Sequence, residues 1–299
     1  MNQDELKKGI IFMLMASFAF ALTGACARYL RDDINPIQLV LFRNLIGVGF
    51  IIISLWSRPA QQQGGKLGLL LFRGIIGTLA LYSFFYGISR IGLAVSITYQ
   101  QSYPIFLSIL VAWLYKEKLK SLEWMAIFIG FAGICLVFLP SIDASALSVQ
   151  NHIIGISNAV MTGLAYLSIR GLSSYYDHRV IVLSFMLSGI VLPLISLSLG
   201  YFIDIDSLKF VIDTFDTMRW SHLNPILILG FAALAGQIFL TKAFSYQKTG
   251  IIAAVGYSNI VFSIIFGIML GDGLPDVISL LGIVLIIWCG VMVSYSKKG

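Results

Sequence analysis

The sequence predicts an all-α integral membrane protein with ten transmembrane helices, arranged as two inverted five-helix repeats. Hydrophobic residues make up 58% of the 299 residues and charged residues only 11%, against about 25% charged in a typical globular domain. Ten apolar segments of 16 to 25 residues are candidates to cross a hydrocarbon core of about 30 Å, and similar residue patterns recur in the two halves. A soluble fold could not bury this much apolar surface, so the bilayer has to cover part of it.

Short polar connections separate the ten predicted spans. These spans cover residues 9–27, 36–56, 67–88, 91–115, 124–139, 153–169, 180–202, 225–241, 250–270 and 277–295. The turn-forming sequence QQQGG precedes the third span, and Pro140 ends the fifth. A polar linker at 141–151 divides the chain near its middle, which predicts one repeat at 1–145 and a second at 146–299.

Positively charged residues are distributed unevenly between the two sides of the predicted membrane. An even number of spans places both termini on the same side, and that side carries fourteen Lys and Arg residues against five on the other. Because loops rich in Lys and Arg stay in the cytoplasm, both termini are predicted to be cytoplasmic, with the protein in the cell inner (plasma) membrane. The net charge of +6 is scattered over many loops, which argues against nucleic acid as a partner.

The fourth predicted span carries a polar run at mid-membrane depth. It holds 25 residues without a formal charge, yet residues 98–103 read TYQQSY and Pro104 follows. Lipid offers no hydrogen-bond partners to such groups, and a proline frees a backbone carbonyl one turn earlier. This span is therefore predicted to line a cavity rather than to face lipid.

The two halves share patterns that predict an internal repeat. LVLFRNLIG from Leu39 aligns with IVLSFMLSG from Ile181, and FFYGISRIGLA from Phe84 aligns with LTKAFSYQKTG from Leu240. Each half holds five predicted spans, an odd number, so the second half is expected to lie inverted in the membrane. Inverted repeats are typical of alternating-access transporters, whose substrate site lies near the midplane between the repeats.

Polar residues within the spans define most of the predicted substrate-binding site. The fourth span carries Thr98, Tyr99, Gln101 and Ser102 on one helical arc. The ninth span carries Tyr257 and Asn259 at the repeat-related depth. The third span carries Thr78 and Tyr82 in a stripe at four-residue spacing. The matched arcs favour a shared central cavity, while the alternative is hydrogen bonding between helices, worth about 0.6 kcal/mol for each bond. For the third-span stripe, an aromatic cavity wall and a small-residue packing seam stay open.

Arg43, with Asn44 beside it, lies three residues from the middle of the second span. An arginine there costs about 2.5–3.5 kcal/mol on insertion scales, so its side chain has to reach the interface or an interior site. Both residues are predicted to bind substrate, Arg43 as a charge in the cavity; the alternative is a structural arginine bonded to carbonyls. Arg73 and Lys242 lie nearer helix ends, and their side chains are predicted to extend to the interface.

The long connection between the seventh and eighth spans has a helical pattern of its own. Apolar residues recur at helical spacing with charged residues between them, which predicts a short amphipathic helix in the outer interface. The apolar residues are Ile205, Leu208, Ile212, Phe215 and Met218. Such a helix either covers a cavity or connects the two spans passively.

The sequence lacks the groups that an enzyme site requires. All fourteen acids lie in loops or at helix ends, the three histidines lie in or beside loops, and no nucleophile–base pair or metal-ligand cluster can be assembled. We therefore predict no catalytic residue, no metal and no cofactor. The rival hypotheses are an integral-membrane lipid-modifying enzyme and a structural or receptor role. The predicted partners are a small-molecule substrate and the lipid bilayer, and the oligomeric state stays open.

Several motifs resemble the EamA-like branch of the drug/metabolite transporter superfamily, over essentially the whole chain. They are RIGLA at 90–94, KEKL at 116–119 and LGDGL at 270–274. Pro104 and the acid Glu117 are thirteen residues apart, as are Asn259 and Asp272. The second half departs from the family where Asn259 takes the place of the proline and Asp272 that of the usual glutamate.

The resemblance implies a permease for a small organic metabolite, which we predict to be amino-acid-like. LFRN at 41–44 and LFRG at 71–74 are similar to arginine motifs of a subgroup that includes S-adenosylmethionine uptake proteins. The alternative that this similarity implies is uptake of S-adenosylmethionine, or of a related nucleoside metabolite, by the same fold.

The predicted topology can be tested by labelling single cysteines in a variant that lacks the three native ones. Cysteines placed at Ser145 and Ser296 should react with a membrane-impermeant reagent from opposite sides, because five spans separate them. Labelling of both from the same side would contradict the ten-span arrangement.

Overall fold

A computed structural model describes residues 3–30, 33–91, 93–116, 119–141, 149–203, 211–246, 249–271 and 276–295, and the regular structure in these ranges is entirely helical. The α-helices are α1 (Gln3–Leu30), α2 (Pro36–Ser57), α3 (Leu67–Ile91), α4 (Leu93–Gln100), α5 (Tyr103–Tyr115), α6 (Ser121–Phe138), α7 (Val149–Leu172), α8 (His178–Leu199), α9 (Leu223–Ser245), α10 (Thr249–Val255), α11 (Ser258–Met269) and α12 (Val277–Tyr295). Short 3-10 helices cover Leu139–Ser141 and Trp220–His222.

The prediction of a helical integral membrane protein is confirmed. Eight helical segments of the described chain are long and apolar enough to cross a membrane, and the stretch Val277–Cys289 of α12 is apolar but shorter. Large apolar side chains such as Phe50, Ile195 and Leu281 are exposed on the outside of the bundle. Lipid is the natural solvent for that surface, because exposing so much apolar area to water would be unfavourable.

Helices α2 and α8 cross at two glycines that face side chains of the opposite helix. A methyl group at Gly189 would overlap the amide nitrogen of Asn44, and one at Gly47 would overlap the Met186 sulfur. The Asn44 amide donates hydrogen bonds to the carbonyls of Gly189 (3.1 Å) and Val40 (2.8 Å). The missing side chains let the two helices approach closely, which is how helices commonly associate in a membrane.

The same type of contact recurs on both sides of this crossing. In α3, a methyl group at Gly74 would overlap Ser188 of α8, and in α9 one at Gly230 would lie 2.5 Å from Ile46 of α2. Helices α6 and α12 meet backbone to backbone at Gly133. Small residues therefore set the helix spacing throughout the centre of the bundle.

The predicted amphipathic helix between α8 and α9 is wrong in the part that the structure describes. Residues 211–219 contain no helix, and residues 204–210 lie outside the described ranges. The connection is instead bound to the start of α2. The Asn35 N–H donates to the Asp216 carboxylate (2.6 Å), and the Gln38 amide donates to the Asp216 carbonyl (3.1 Å). The free N–H groups and positive end of α2 attract this acid, and the loop backbone obtains partners without forming its own helix.

At the opposite end of α2, Arg179 connects α8 to the last turn. Its Nη1 donates to the carbonyls of Ser54 (2.8 Å) and Arg58 (2.9 Å). The Ser54 carbonyl also accepts from the Arg58 N–H (3.0 Å), so Arg179 adds a second bond to this end of the helix. Its Nη2 forms an ion pair with Asp177 at 2.7 Å. The hydrogen bond from Arg179 holds the pKa of the Asp177 carboxyl below its usual value.

We predict that Gly189→Ala destabilises the protein, because the added methyl group overlaps the Asn44 amide and separates α2 from α8. The matched control is Gly24→Ala in α1, where a methyl group would meet no atom within 4 Å. Alanine forms helices better than glycine, by about 1 kcal/mol in water. The melting temperature of the purified protein should fall for Gly189→Ala and stay equal or rise for Gly24→Ala. Equal melting temperatures for the two variants would contradict the close crossing.

Candidate functional site

The predicted fourth span is broken into two helices at its polar run. Helix α4 ends at Gln100 and α5 begins at Tyr103, with Pro104 in the first turn of α5, where a missing N–H costs nothing. The Gln101 N–H donates to the Ile97 carbonyl (2.8 Å), and the Ser102 hydroxyl donates to the Tyr99 carbonyl (2.6 Å). Local bonds therefore satisfy part of the backbone that the break exposes.

The predicted ninth span is broken in the same way. Helix α10 ends at Val255 and α11 begins at Ser258, so Gly256 and Tyr257 form the interruption. The Tyr103 hydroxyl, from the start of α5, donates to the Ala253 carbonyl in the last turn of α10 (3.3 Å). The two interruptions therefore lie against each other inside the bundle.

Two arginine side chains are buried near these interruptions. Arg43 of α2 is 8% exposed, and its Nε has no hydrogen-bond partner. Arg73 of α3 is 1% exposed; its Nη2 donates to the Gln237 side-chain oxygen of α9 (3.2 Å), while Nε and Nη1 have no partner. In the described part of the chain, no carboxylate forms a hydrogen bond or an ion pair with either guanidinium.

The prediction that Arg73 extends to the interface is wrong. Its guanidinium lies over the Phe185 ring of α8 at 4.5 Å and reaches Gln237 of α9, so the side chain is enclosed by neighbouring helices. Gly77, one turn along α3, provides the room, because a methyl group there would overlap Arg73 Nη1. Lys242 lies over the Phe12 ring at 5.4 Å and stays partly exposed.

Tyr166 of α7 lies near both arginines. Its phenol interacts electrostatically with both Arg73 and Arg43. The ring packs edge-on against Tyr103 at 5.0 Å and stacks on Phe244 at 5.1 Å. We call Arg43, Arg73, Tyr166 and Gln237 the arginine site. It adjoins the interruption between α4 and α5 through Tyr103.

Sequence reasoning missed three of these four residues. Arg73 was placed at the interface, and Tyr166 and Gln237 were not selected. Two signals were available in the sequence: the arginine of LFRG at 71–74 repeats that of LFRN at 41–44, and Gln237 is an amide inside the apolar segment of α9. Neither signal indicates which side of its helix faces the interior.

Three of the predicted site residues contact neighbouring helices or their own backbone. The Thr78 hydroxyl donates to the Gly74 carbonyl (3.0 Å), and the Tyr82 hydroxyl shares a hydrogen bond of 2.9 Å with Ser196 of α8. Asn44 bonds Gly189 as described above, although its oxygen is buried without a partner. The stripe on α3 thus coincides with the seam between α3 and α8.

The predicted residues around the two interruptions face several directions. Tyr99 bonds His152 and packs over α7. Tyr257 is fully buried, with its ring against Gly130 of α6 and its hydroxyl without a hydrogen-bond partner. Asn259 donates to the Ser17 carbonyl of α1 (2.9 Å). Gln101 and Ser102 are buried at the break itself, and Gln101 has a free amide nitrogen. Thr98 is partly exposed, with an interaction of its own. The contacts of Tyr82, Tyr99 and Tyr257 belong to three different interfaces.

Two pockets lie in the described part of the bundle. An apolar one of about 200 Å³ is lined by Ser258 and residues of α1, α10, α11 and α12, beside the second interruption. An open one of about 630 Å³ lies between residues 61–63 and 173–178, at the helix ends. Within the described ranges, no group of three His, Cys, Asp or Glu residues is arranged to hold a metal ion.

Comparisons with known proteins point to membrane transport. The sequence profile of the EamA-like transporter family matches residues 7–139. An uncharacterized transporter of Helicobacter pylori is 32% identical over 96% of this chain and 94% of its own length. The pseudopaline exporter CntI of Pseudomonas aeruginosa is 30% identical over 99% of both chains. Solute carrier family 35 member G1 of Mus musculus is 26% identical over 89% of this chain and 73% of its own length.

A solved crystal structure has the same fold. It aligns with 100% of this chain and 99% of its own, with a TM-score of 0.78 at 14% sequence identity. At that identity the likeness bears on the fold alone.

The contact between Tyr82 and Ser196 leads to a prediction about the role of Tyr82. Because a buried hydrogen bond contributes about 0.5–1.5 kcal/mol, Tyr82→Phe and Ser196→Ala should each lower the melting temperature. The double variant should cost little more than one single variant, since the same bond is lost. Strictly additive losses would contradict this bond and favour a free Tyr82 hydroxyl that is available to substrate.

Proposed function

This chain belongs to the EamA-like transporter family of the drug/metabolite transporter superfamily, and we propose that it moves a small, amino-acid-like organic metabolite by alternating access. The family and its transporter-named members confirm the prediction of a multi-pass membrane transporter over that of a lipid-modifying enzyme. The proposal goes beyond membership of the family and concerns the internal repeat, the substrate site and the cargo.

The matched helix interruptions carry the proposal. Gln100 and Val255, which end α4 and α10, are 155 residues apart; Tyr103 and Ser258, which begin α5 and α11, are also 155 apart. Equal spacing is what a duplicated five-helix unit produces, with 1–145 as the first repeat and 146–299 as the second. With each broken pair counted as one span, the described α-helices form ten spans, and we propose that both termini are cytoplasmic. Discontinuous helices near the midplane are where inverted-repeat transporters bind substrate.

Reciprocal contacts support the twofold relation. Asn44 faces Gly189, while Met186 faces Gly47; the residues of each aligned pair, Asn44 with Met186 and Gly47 with Gly189, are 142 apart in sequence. When a position in the first repeat contacts a second position in the other repeat, and the equivalent pair makes the reverse contact, the two repeats are related by a twofold axis. The contacts of Gly74 with α8 and of Gly230 with α2 mirror each other in the same way.

This symmetry suggests how access alternates. α1 packs on α9 as α7 packs on α3, and the two interrupted spans contact each other through α5 and α10. Rocking one repeat against the other across the α2–α8 crossing would open the interruptions to one side and close them to the other. The glycine contacts suit such a motion because glycine has no side chain to block it and because the contacts recur on both sides of the proposed twofold axis.

Arg43 is proposed to hold the carboxylate of the cargo. It is buried in α2, has a free Nε and has no acid bonded to it within the described residues. A carboxylate would meet both the charge and the free donor. The rest of the predicted site, Asn44, Thr78, Tyr82, Thr98, Tyr99, Gln101, Ser102, Tyr257 and Asn259, is proposed to shape the cavity between the interruptions as the repeats move.

S-adenosylmethionine or a related nucleoside metabolite is the alternative cargo. It carries a carboxylate for Arg43 and a sulfonium, which aromatic faces attract. The arginine motifs at 41–44 and 71–74 favour it. The relative named as a pseudopaline exporter supports a small organic cargo, and flux measurements decide the direction.

Flux into proteoliposomes tests the proposal. Purified protein, reconstituted and loaded with a mixture of unlabelled metabolites, should exchange at least one labelled amino acid, or labelled S-adenosylmethionine, faster than liposomes that lack protein. The active cargo should carry a carboxylate. Exchange that is restricted to compounds without an anionic group would contradict the role of Arg43.

We predict that Arg43→Lys weakens binding of that cargo and that Arg43→Gln weakens it further. Lysine keeps the charge but cannot form a two-pronged hydrogen bond with a carboxylate. Charge-assisted hydrogen bonds contribute about 1.5–3 kcal/mol, so the loss of one predicts roughly a ten- to hundredfold lower affinity.

The control is the amidated cargo, which wild type and variants should bind about equally, as measured by titration calorimetry. Unchanged affinity for the acid in a monodisperse Arg43→Gln variant would show that Arg43 is structural.

A further inference from the structure

Arg73 needs a partner that the described chain does not provide. It is 1% exposed, and its only hydrogen bond in that part of the chain goes to the neutral Gln237 amide. Nε and Nη1 are buried without acceptors, and the Phe185 ring meets one face of the guanidinium. A buried donor without a partner costs about 1–3 kcal/mol, and more when it is charged. A purely structural arginine would be expected to have its donors satisfied.

The two buried arginines lie at different depths. Arg43 is the eighth residue of α2, and Arg73 is the seventh residue of α3. Consecutive spans run in opposite directions, so the two residues are counted from opposite faces of the membrane. At 1.5 Å per residue, the Cα of each arginine lies about 10 Å from the start of its helix. In a core of about 30 Å, the two Cα atoms therefore differ by about 10 Å in depth along the membrane normal. The Tyr166 phenol is near enough to both arginines to interact with them electrostatically.

The charge balance of the site is also incomplete. Two guanidinium groups share an interior in which no described carboxylate pairs with either of them. A cargo with a single carboxylate would neutralise Arg43 and leave Arg73 charged and only partly bonded. A low-dielectric interior penalises such a residual charge strongly.

We propose that the cargo is a small organic dicarboxylate, with one carboxylate on Arg43 and the second on Arg73 beside Gln237. This inference rests on the proposed transport function and adds a second carboxylate to the single one proposed there for the cargo. Gln237 orients the guanidinium through Nη2 and leaves Nε and Nη1 for the ligand. Phe185 holds the guanidinium plane, and the missing side chain of Gly77 accommodates Nη1 itself. The Tyr166 phenol, which interacts electrostatically with both guanidinium groups, is a further donor for the cargo.

The test compares each dicarboxylate with its own monoamide, so that only the second charge differs. Full-length protein in lipid nanodiscs is titrated with succinate, glutarate, adipate and pimelate and with the corresponding monoamides. For at least one chain length, the dicarboxylate should bind wild type roughly ten- to hundredfold more tightly than its monoamide.

Two variants assign that preference to Arg73. Arg73→Gln should remove it while leaving the affinity for the monoamide unchanged. Gln237→Glu places a carboxylate within hydrogen-bond reach of Arg73, since the two side chains already meet at 3.2 Å. It is nearly isosteric, supplies the missing counter-charge, and should also remove the preference in a protein that folds.

Two further variants complete the design. Arg43→Gln should weaken the dicarboxylate and the monoamide alike, because the first carboxylate is common to both. Lys242→Gln removes a cation from α9 at a partly exposed position over Phe12 and should change neither affinity.

The outcomes separate this inference from the proposed function. If no dicarboxylate binds wild type better than its monoamide, or if the preference survives in both Arg73→Gln and Gln237→Glu, the second anion site is refuted. Monocarboxylate binding that depends on Arg43, with counterflow intact, would then leave the proposed function standing. If Arg73→Gln slows monocarboxylate counterflow without any dicarboxylate preference, Arg73 receives the same carboxylate later in transport, and the inference is wrong.

Discussion

The hydrogen bond from Arg73 to Gln237 places a positive charge where neither water nor a described carboxylate is available to it. Gly77 leaves space for the guanidinium, Phe185 supports it, and α3, α8 and α9 enclose it. Arg43 adds a second cation at another depth. Charges are costly in a low-dielectric interior. The two buried guanidinium groups are therefore the strongest constraint on what the centre of this bundle can bind, and the proposed anion sites rest on them.

The interrupted helices meet the same constraint with backbone groups. A helix that stops inside a membrane frees N–H and C=O groups that lipid cannot satisfy. Ser102 bonds one such carbonyl, and the Tyr103 hydroxyl reaches the Ala253 carbonyl of the other interrupted pair. The second break therefore depends on the first for part of its hydrogen bonding. Groups that remain free, such as the Gln101 amide and the Tyr257 hydroxyl, lie at these breaks.

Residue patterns predicted the membrane class because that class depends on composition and segment length, which require no knowledge of neighbours. They also located the polar run that became the interruption between α4 and α5, since six polar residues followed by proline cannot continue as a lipid-facing helix. Arg43 was expected in the interior because its distance from both ends of the span leaves few alternatives, and it is buried.

Predictions that depend on which parts of the chain pack next to each other were less successful. Arg73 is near enough to the start of α3 to reach the interface, and only the enclosing helices prevent it. The helical pattern at 205–218 was read as a helix, whereas Asp216 and its loop bond the start of α2. That competing partner is distant in sequence, so periodicity could not reveal it.

The sequence by itself determined that this chain is a helical membrane protein with a polar centre in its fourth and ninth apolar segments, because hydropathy and proline chemistry are local properties. Only the tertiary structure decided which polar groups share that centre. It brought Arg73, Tyr166 and Gln237 together from three helices, and it directed Tyr82 and Asn44 toward the seams between helices. The physical reason is that the direction of a side chain depends on how its helix is rotated in the bundle. Glycine contacts such as Gly47 with Met186 and Gly189 with Asn44 set that rotation, and they form between residues far apart in the chain.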